Sequence, residues 1–268
     1  MRNFLILLLI FCKISWAHEN PQESKWDYGV GFGVVHFEQY PSSDRFTTLA
    51  LPVPTFEYRG EILYADDREG VQVFFFKTDK VKIEFSGFGI PPLDSSENDD
   101  RKGMKNLPLV LALGPQVNVK LSDHFDFGLL MAQGLDLTGE RQAVSGPALQ
   151  TRLTFNFANQ YTYFPNVQFF NRFFLTSRYG TKKFLKNYFE VQSKDVTATR
   201  LLFKTKEGLL SHELGYLLQS SFRQWKTYFG WALNDYSMSA NLRSPLHKTK
   251  HSLTFFVGLN YILAHSEP

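Results

Sequence analysis

The chain has 268 residues, a formal net charge of +3 and one cysteine, Cys12. Basic and acidic side chains nearly balance and no basic run occurs, so nucleic acid is not an expected partner, and a lone cysteine allows neither a disulfide framework nor a thiolate metal site. Aromatic residues make up 16% of the chain, 27 of them Phe, yet the mean hydropathy is only -0.23, and no segment past the N-terminus carries the roughly 18 apolar residues of a membrane helix.

Arg2 supplies a positive start, Phe4 to Phe11 an unbroken apolar run, and Ser15 and Ala17 the small residues of a cleavage site. Residues 1–17 therefore read as a secretory signal and 18–268 as the exported domain. The apolar run is too short to span a bilayer as a helix. Leu9-Ile10-Phe11-Cys12 is a poor lipoprotein box because Phe11 is bulky. Cleavage would remove Cys12 together with Arg2 and Lys13, leaving no thiol and bringing the net charge closer to zero. Loss of the only thiol suits an oxidising compartment.

From Trp26 onward the pattern has period two. Trp26, Tyr28, Val30, Phe32 and Val34 alternate with Asp27, Gly29, Gly31 and Gly33. The same alternation places Val81, Ile83 and Phe85 against Lys82, Glu84 and Ser86, and Phe125, Phe127, Leu129 and Met131 against Asp126, Gly128 and Leu130. Leu149, Thr151, Leu153, Phe155 and Phe157 alternate with Gln150, Arg152, Thr154 and Asn156, and Leu253 to Leu263 repeats the pattern. A soluble sandwich would bury the apolar face, whereas a membrane barrel turns it to lipid and lines its lumen with the polar one. Several runs reach ten residues, as tilted membrane strands require. The three glycines on one inward face either let a plug or another backbone approach the wall or serve barrel curvature.

The expected strands are 26–37, 48–59, 61–66, 70–77, 81–90, 107–120, 124–137, 148–158, 161–176, 209–221, 224–237 and 251–263. They make an all-β, antiparallel, up-and-down transmembrane barrel of about 12 strands with both termini in the periplasm. An alternative makes 61–77 one bulged strand and draws another from 184–204. Short links near Thr78-Asp79-Lys80, Ser122-Asp123, Asn159-Gln160 and Arg223-Gln224 alternate with long polar ones at 91–106, 139–147, 177–207 and 239–250. Short periplasmic turns and long external loops have this asymmetry. The acidic stretch Asp94, Glu97, Asp99 and Asp100 reads as a solvated loop, with a cation site as the rarer reading.

The residues name no reaction, and the barrel is read as non-enzymatic without cofactor or metal. Ser211, His212 and Glu213 are adjacent in one strand, so serine and histidine point to opposite faces and make no nucleophile–base pair. His124, Asp126 and Asp136 share one parity and read as polar lining or as a lumenal cluster. Asp66-Asp67 reads as a turn with Gly70 or as an acid pair. His36, His247 and His251 lack metal-ligand spacing, and no nucleophile elbow, P-loop or dinucleotide fingerprint occurs.

A series of short motifs adds a resemblance. Trp26-Asp27-Tyr28-Gly29-Val30-Gly31 is followed by Tyr40-Pro41-Ser42-Ser43-Asp44 and by Leu51-Pro52-Val53-Pro54. Tyr58-Arg59-Gly60, Ala65-Asp66-Asp67-Arg68-Glu69-Gly70, Arg101-Lys102-Gly103-Met104 and Leu113-Gly114-Pro115-Gln116 come next. Asn187-Tyr188-Phe189 fits loosely, and Ser244-Pro245-Leu246 and Gly258–Tyr261 close the series. In order and spacing these resemble the MipA/OmpV family of outer-membrane proteins. The chain departs from the family where Ser42 replaces a usual Gly, over 194–209, and at its end, where residues continue past Tyr261 although barrels usually stop on an aromatic. The resemblance implies a Gram-negative outer-membrane barrel among lipid. Its MipA-type members act as scaffolds linking a lytic transglycosylase to a murein synthase in peptidoglycan assembly. OmpV-type members look like small porin-like channels or surface adhesins, and both classes remain open. Mixed charge from Lys82, Glu84, Asp126 and Arg152 offers a channel no ion preference.

Overall fold

The computed structural model describes residues 25–60, 62–66, 70–137, 144–160 and 167–266, so the expected signal lies outside the described residues. Twelve strands run in chain order: β1 (Trp26–Glu38), β2 (Phe46–Arg59), β3 (Leu63–Asp66), β4 (Gly70–Lys77), β5 (Val81–Ile90) and β6 (Val110–Lys120), then β7 (Phe125–Asp136), β8 (Val144–Gln160), β9 (Gln168–Gly180), β10 (Gly208–Phe222), β11 (Trp225–Asp235) and β12 (His251–His265). Each pairs antiparallel with its sequence neighbours, and β12 returns to β1 to close a barrel. All twelve expected strands are present. β9 runs from Gln168 to Gly180, the expected start over 161–166 lying outside the described residues, and β8 begins at Val144 rather than 148. The alternative strand count fails because β3 and β4 pair as separate strands, Asp66 opposite Gly70, and because 182–189 is helical.

Alternation sets the wall. Val30, Phe32, Phe56, Met131, Leu175, Phe229 and Val257 are exposed on the outer surface, while Asp27, Glu57, Glu84, Thr154 and Asn260 are buried on the inner one. This is the reverse of a water-soluble barrel and matches a membrane-spanning one, whose outer face meets hydrocarbon. At the end carrying the termini and short turns, Trp26 and Tyr28 stack at 5.9 Å, and Trp225 meets Tyr261 at 4.8 Å. These amphipathic rings suit a membrane–water boundary.

The glycines of β1 answer to wall geometry rather than to a plug. A Cβ on Gly29 would lie 2.3 Å from the Tyr261 carbonyl oxygen, and one on Gly31 would lie 1.6 Å from Asn260 Oδ1. The β1–β12 register shifts beside this point, between Tyr28 and Gly29.

The plug lies elsewhere. A barrel of twelve strands is wider than wall side chains alone fill, and the long-loop half is occupied by helix α1 (Lys182–Phe189) from the β9–β10 connection. Phe184, Leu185, Tyr188 and Phe189 recur at helical spacing and are almost wholly buried. They pack with Tyr40, Val191 and Leu246 from the loops and with Ala112, Leu130, Ala132 and Ala148 on the inner wall. Small wall residues make the cradle. A Cβ on Gly180 would lie 2.7 Å from Leu185 Cγ, and one on Gly134 would lie 3.1 Å from the Phe184 ring. Burying each large apolar side chain stabilises the insertion by about 1.5–3 kcal/mol.

Two substitutions separate the lipid-facing wall from the plug. Phe184→Ala is expected to cost about 3–5 kcal/mol through the cavity it leaves. Phe229→Arg, near the middle of a lipid-facing strand, is expected to cost about 2–4 kcal/mol. Equilibrium urea unfolding of the barrel in lipid vesicles measures both.

Candidate functional site

The buried polar residues and several of the motif residues gather in three places inside the barrel. The first is the root of the plug. Tyr40 is buried in the β1–β2 loop, and its hydroxyl donates to the Leu246 carbonyl at 3.0 Å. Ser42, where the family pattern has Gly, adopts φ 66°. That left-handed conformation explains the usual glycine. The Ser42 carbonyl accepts from the backbone N–H of Lys248 and Thr249. Ser43 Oγ accepts from the Arg45 N–H at 3.1 Å, and Asp44 is exposed beside it. Arg101 is buried, stands over the Tyr40 ring at 5.4 Å and donates to the Tyr188 carbonyl at 3.4 Å. Burial pushes its guanidinium down to about 10. Ser244 Oγ donates to the Phe189 carbonyl at 2.7 Å, satisfying an open carbonyl at the C-terminus of α1, with Pro245 following. Burial raises the Tyr40 and Tyr188 phenols above their usual range.

Motif residues from three separate loops thus converge on the last turn of one helix. Two further residues join those loops. Buried Arg200 donates to the carbonyls of Asp195, Asp100 and Lys102. Asn241, fully buried, exchanges two hydrogen bonds with the backbone of Lys206. Sequence reading passed over Arg200 and Asn241, because a polar residue in a polar loop gives no signal until its partners are in place.

The second place is the wall at the turn end. Arg59 donates to Asp27 at 2.6 Å and to Glu57 at 2.5 Å, Lys226 also reaches Glu57, and His265 Nδ1 lies 2.6 Å from Asp27. This cluster ties β1, β2, β11 and β12 together across the closure. Trp26 and Tyr28 flank it outside, and Tyr58 pairs with Ala65 of β3. A Cβ on Gly60 would lie 2.7 Å from the Leu63 carbonyl oxygen, so the β2–β3 turn needs a residue without one. Asp66 accepts from the Tyr64 hydroxyl at 3.3 Å, and Gly70 has φ 74°. Asp67 lies outside the described residues, so the acid pair stands without its second member. Gly114 and Pro115 interrupt the β6–β7 ladder, where a Cβ on Gly114 would lie 1.9 Å from the Met131 carbonyl oxygen. Pro52 and Pro54 stand on the outer face of β2.

The third place is a cavity of about 170 Å³ opening at the turn end, lined by Lys80, Lys82, Lys120, Arg152 and Arg172 with Asp79, Glu84 and Asp126. Basic groups predominate, where four residues had suggested an even mixture. Glu84 accepts from Gln72 and Asn118, Asp126 from Asn156, and Arg152 donates to Thr176. Nearer the plug, Arg178 pairs bidentately with Glu213 at 2.9 and 3.0 Å.

The candidate reactive groups do not assemble. Ser211 faces inward, whereas His212 lies on the outer face with Nδ1 2.8 Å from Ser177. Asp126 and Asp136 stand at opposite ends of β7, and His124 Nδ1 meets the Asn156 carbonyl. His36 meets Thr48, and His251 lies 3.5 Å from Asp235. Among the described residues, no three His, Cys, Asp or Glu side chains converge as metal ligands would.

His247 belongs to the plug. It stacks on Phe189, and its Nε2 lies 3.3 Å from the Tyr236 carbonyl. Burial holds its pKa below the usual value of 6.5. Between the folded and ordinary values the unfolded chain binds more protons, so plug stability rises with pH there and falls on acidification. Protection factors for hydrogen exchange over 181–191 and 236–250, which correct for the intrinsic pH dependence of exchange, are expected to be lower at about pH 5 than at about pH 7, and His247→Gln to remove most of the difference.

Comparison with known proteins follows this geometry. The family model for MltA-interacting protein MipA matches residues 30–263. No curated protein matches. Among solved structures, a bacterial polysaccharide outer membrane secretin is similar at 7% identity, covering 90% of this chain and 99% of its own, with a TM-score of 0.41. The CymD monoaromatic hydrocarbon channel is similar at 9% identity, covering 91% and 90%, with a TM-score of 0.31. A Pseudomonas aeruginosa FadL homologue is similar at 7% identity, covering 88% and 89%, with a TM-score of 0.28. The chain is a barrel of the Gram-negative outer membrane, and it belongs to the MltA-interacting protein MipA family.

Proposed function

We propose that this barrel is a non-enzymatic scaffold that presents its periplasmic end to peptidoglycan-assembly enzymes, a lytic transglycosylase and a murein synthase. One observation carries the reading: the long-loop half of the lumen is filled by an apolar plug, with Phe184, Leu185, Tyr188 and Phe189 at most 1% exposed. A conduit spends its lumen on passage, whereas here the external half is spent on packing. The family description, MltA-interacting protein, supports the choice of partner. The cationic cavity opens at the end carrying the short turns, and with that end toward the periplasm it adds a charged surface to the face that murein meets.

A porin-like channel is the competing reading. In planar bilayers the folded wild-type protein is expected to be silent, and discrete conductance steps would favour the channel. Removing residues 182–189 is expected to open steps by emptying the external half. Detergent extracts of crosslinked envelopes are expected to yield the transglycosylase and the synthase with this barrel; repeated absence of both would sink the scaffold.

A further inference from the structure

The wall is not equally closed all round. β2 pairs with β1 along its whole length, from Phe46 to Tyr58. On its other side it pairs with β3 only at Tyr58 and Arg59. β5 meets β4 only up to Phe85, while its pairing with β6 continues to Ile90. Among the described residues, then, no strand joins the external part of β2 to that of β5. Below this seam lies the short β3–β4 hairpin. Above it, Arg45 bonds Asp99 at 3.1 Å and Asn98 donates to Gln39 at 2.6 Å, joining the flanking loops. The result is a framed window in the external half of the wall.

Both faces of β2 are open along the window. Thr48, Ala50, Pro52 and Pro54 are exposed outside, and the inward-facing Leu49, Leu51 and Val53 are each 38–40% exposed. Across the window, Phe88 and Ile90 of β5 reach inward against the plug. The passage therefore has apolar walls on both sides, unlike the polar lumen below. Outside it, Phe32, Phe56 and Phe85 face hydrocarbon.

An unpaired strand edge in hydrocarbon is costly, because its N–H groups find no water. Pro52 and Pro54 ease that cost. Pairing with β1 runs unbroken through both, so their missing N–H groups fall on the window side. Two absent donors also spoil that edge for a partner strand or for edge-to-edge pairing with a second copy. What abuts the window at this depth is lipid.

We propose that this window between β2 and β5 admits an acyl chain of an outer-leaflet lipid, which lies against Leu49, Leu51 and Val53 at the flank of the plug. The inference does not depend on the scaffold reading.

The test uses nitroxide labels on the full chain with Cys12→Ser, folded into phosphatidylcholine vesicles. Labels at Leu51→Cys and, as an independent second position, Val53→Cys are compared with Thr154→Cys in the closed polar lumen and Phe229→Cys on the lipid face. Collision with oxygen, which partitions into hydrocarbon, is measured against collision with an aqueous nickel chelate. Acyl-chain entry predicts an oxygen-to-nickel ratio at Leu51 and Val53 several-fold above that at Thr154 and near that at Phe229. A ratio equal to that at Thr154 would mean a water-filled window and would overturn the proposal. Loss of both collisions, or dipolar broadening between labels, would mean a protein occupant and overturn it equally. Both labels broaden together only if a second copy sits there.

Discussion

Every feature of this barrel follows from one requirement: a backbone polar group in hydrocarbon must find its partner inside the protein. Closure of β12 on β1 meets it around the circumference, and the period-two alternation follows, since each strand has one face in lipid and one in the lumen. The ion pairs of Asp27, Glu57, Arg59 and Lys226 sit on the lumenal face at that closure. Where the ladder lapses, along the external part of β2, two of the residues are prolines with no donor to leave unsatisfied. The same rule thus accounts for the wall and for its interruption.

Closure creates a second problem, an interior too wide for wall side chains to fill. The two halves solve it differently. Toward the turn end the lumen stays polar, with buried charges held in bidentate or multiple hydrogen bonds, as a low-dielectric interior demands. Toward the long-loop end it is filled by an amphipathic helix whose apolar face has nowhere else to go. The wall answers with glycine and alanine at the contact, where any larger side chain would meet Phe184 or Leu185. Buried Arg101, Arg200, Ser244 and Asn241 then satisfy the loop carbonyls that this burial strands. Among the motif residues, Tyr40, Arg101 and Ser244 are the ones that hold this plug.

Much of the wall was legible in the amino-acid order. Alternation such as Phe125-Asp126-Phe127-Gly128 has one physical meaning once the strands are long and the glycines and charges fall on the same side. Short and long links ordered the ends. The plug was not legible. Lys182–Phe189 sits in a lysine-rich stretch between polar loops, and four apolar residues at helical spacing are too few to declare a helix inside a barrel. Gly134 falls in an expected strand and Gly146 in an expected link, and neither signals a close contact because the helix residues they accommodate are distant in sequence.

By itself the sequence determined the class of fold, the antiparallel up-and-down order of the strands and which side chains face lipid, because period and polarity are local properties read against a uniform solvent; their exact count waited for the pairing of β3 with β4. Only the tertiary structure decided what fills the lumen, which loops meet, and where β2 goes unpartnered. Those depend on contacts between segments far apart in the chain, and no local pattern encodes the distance between them.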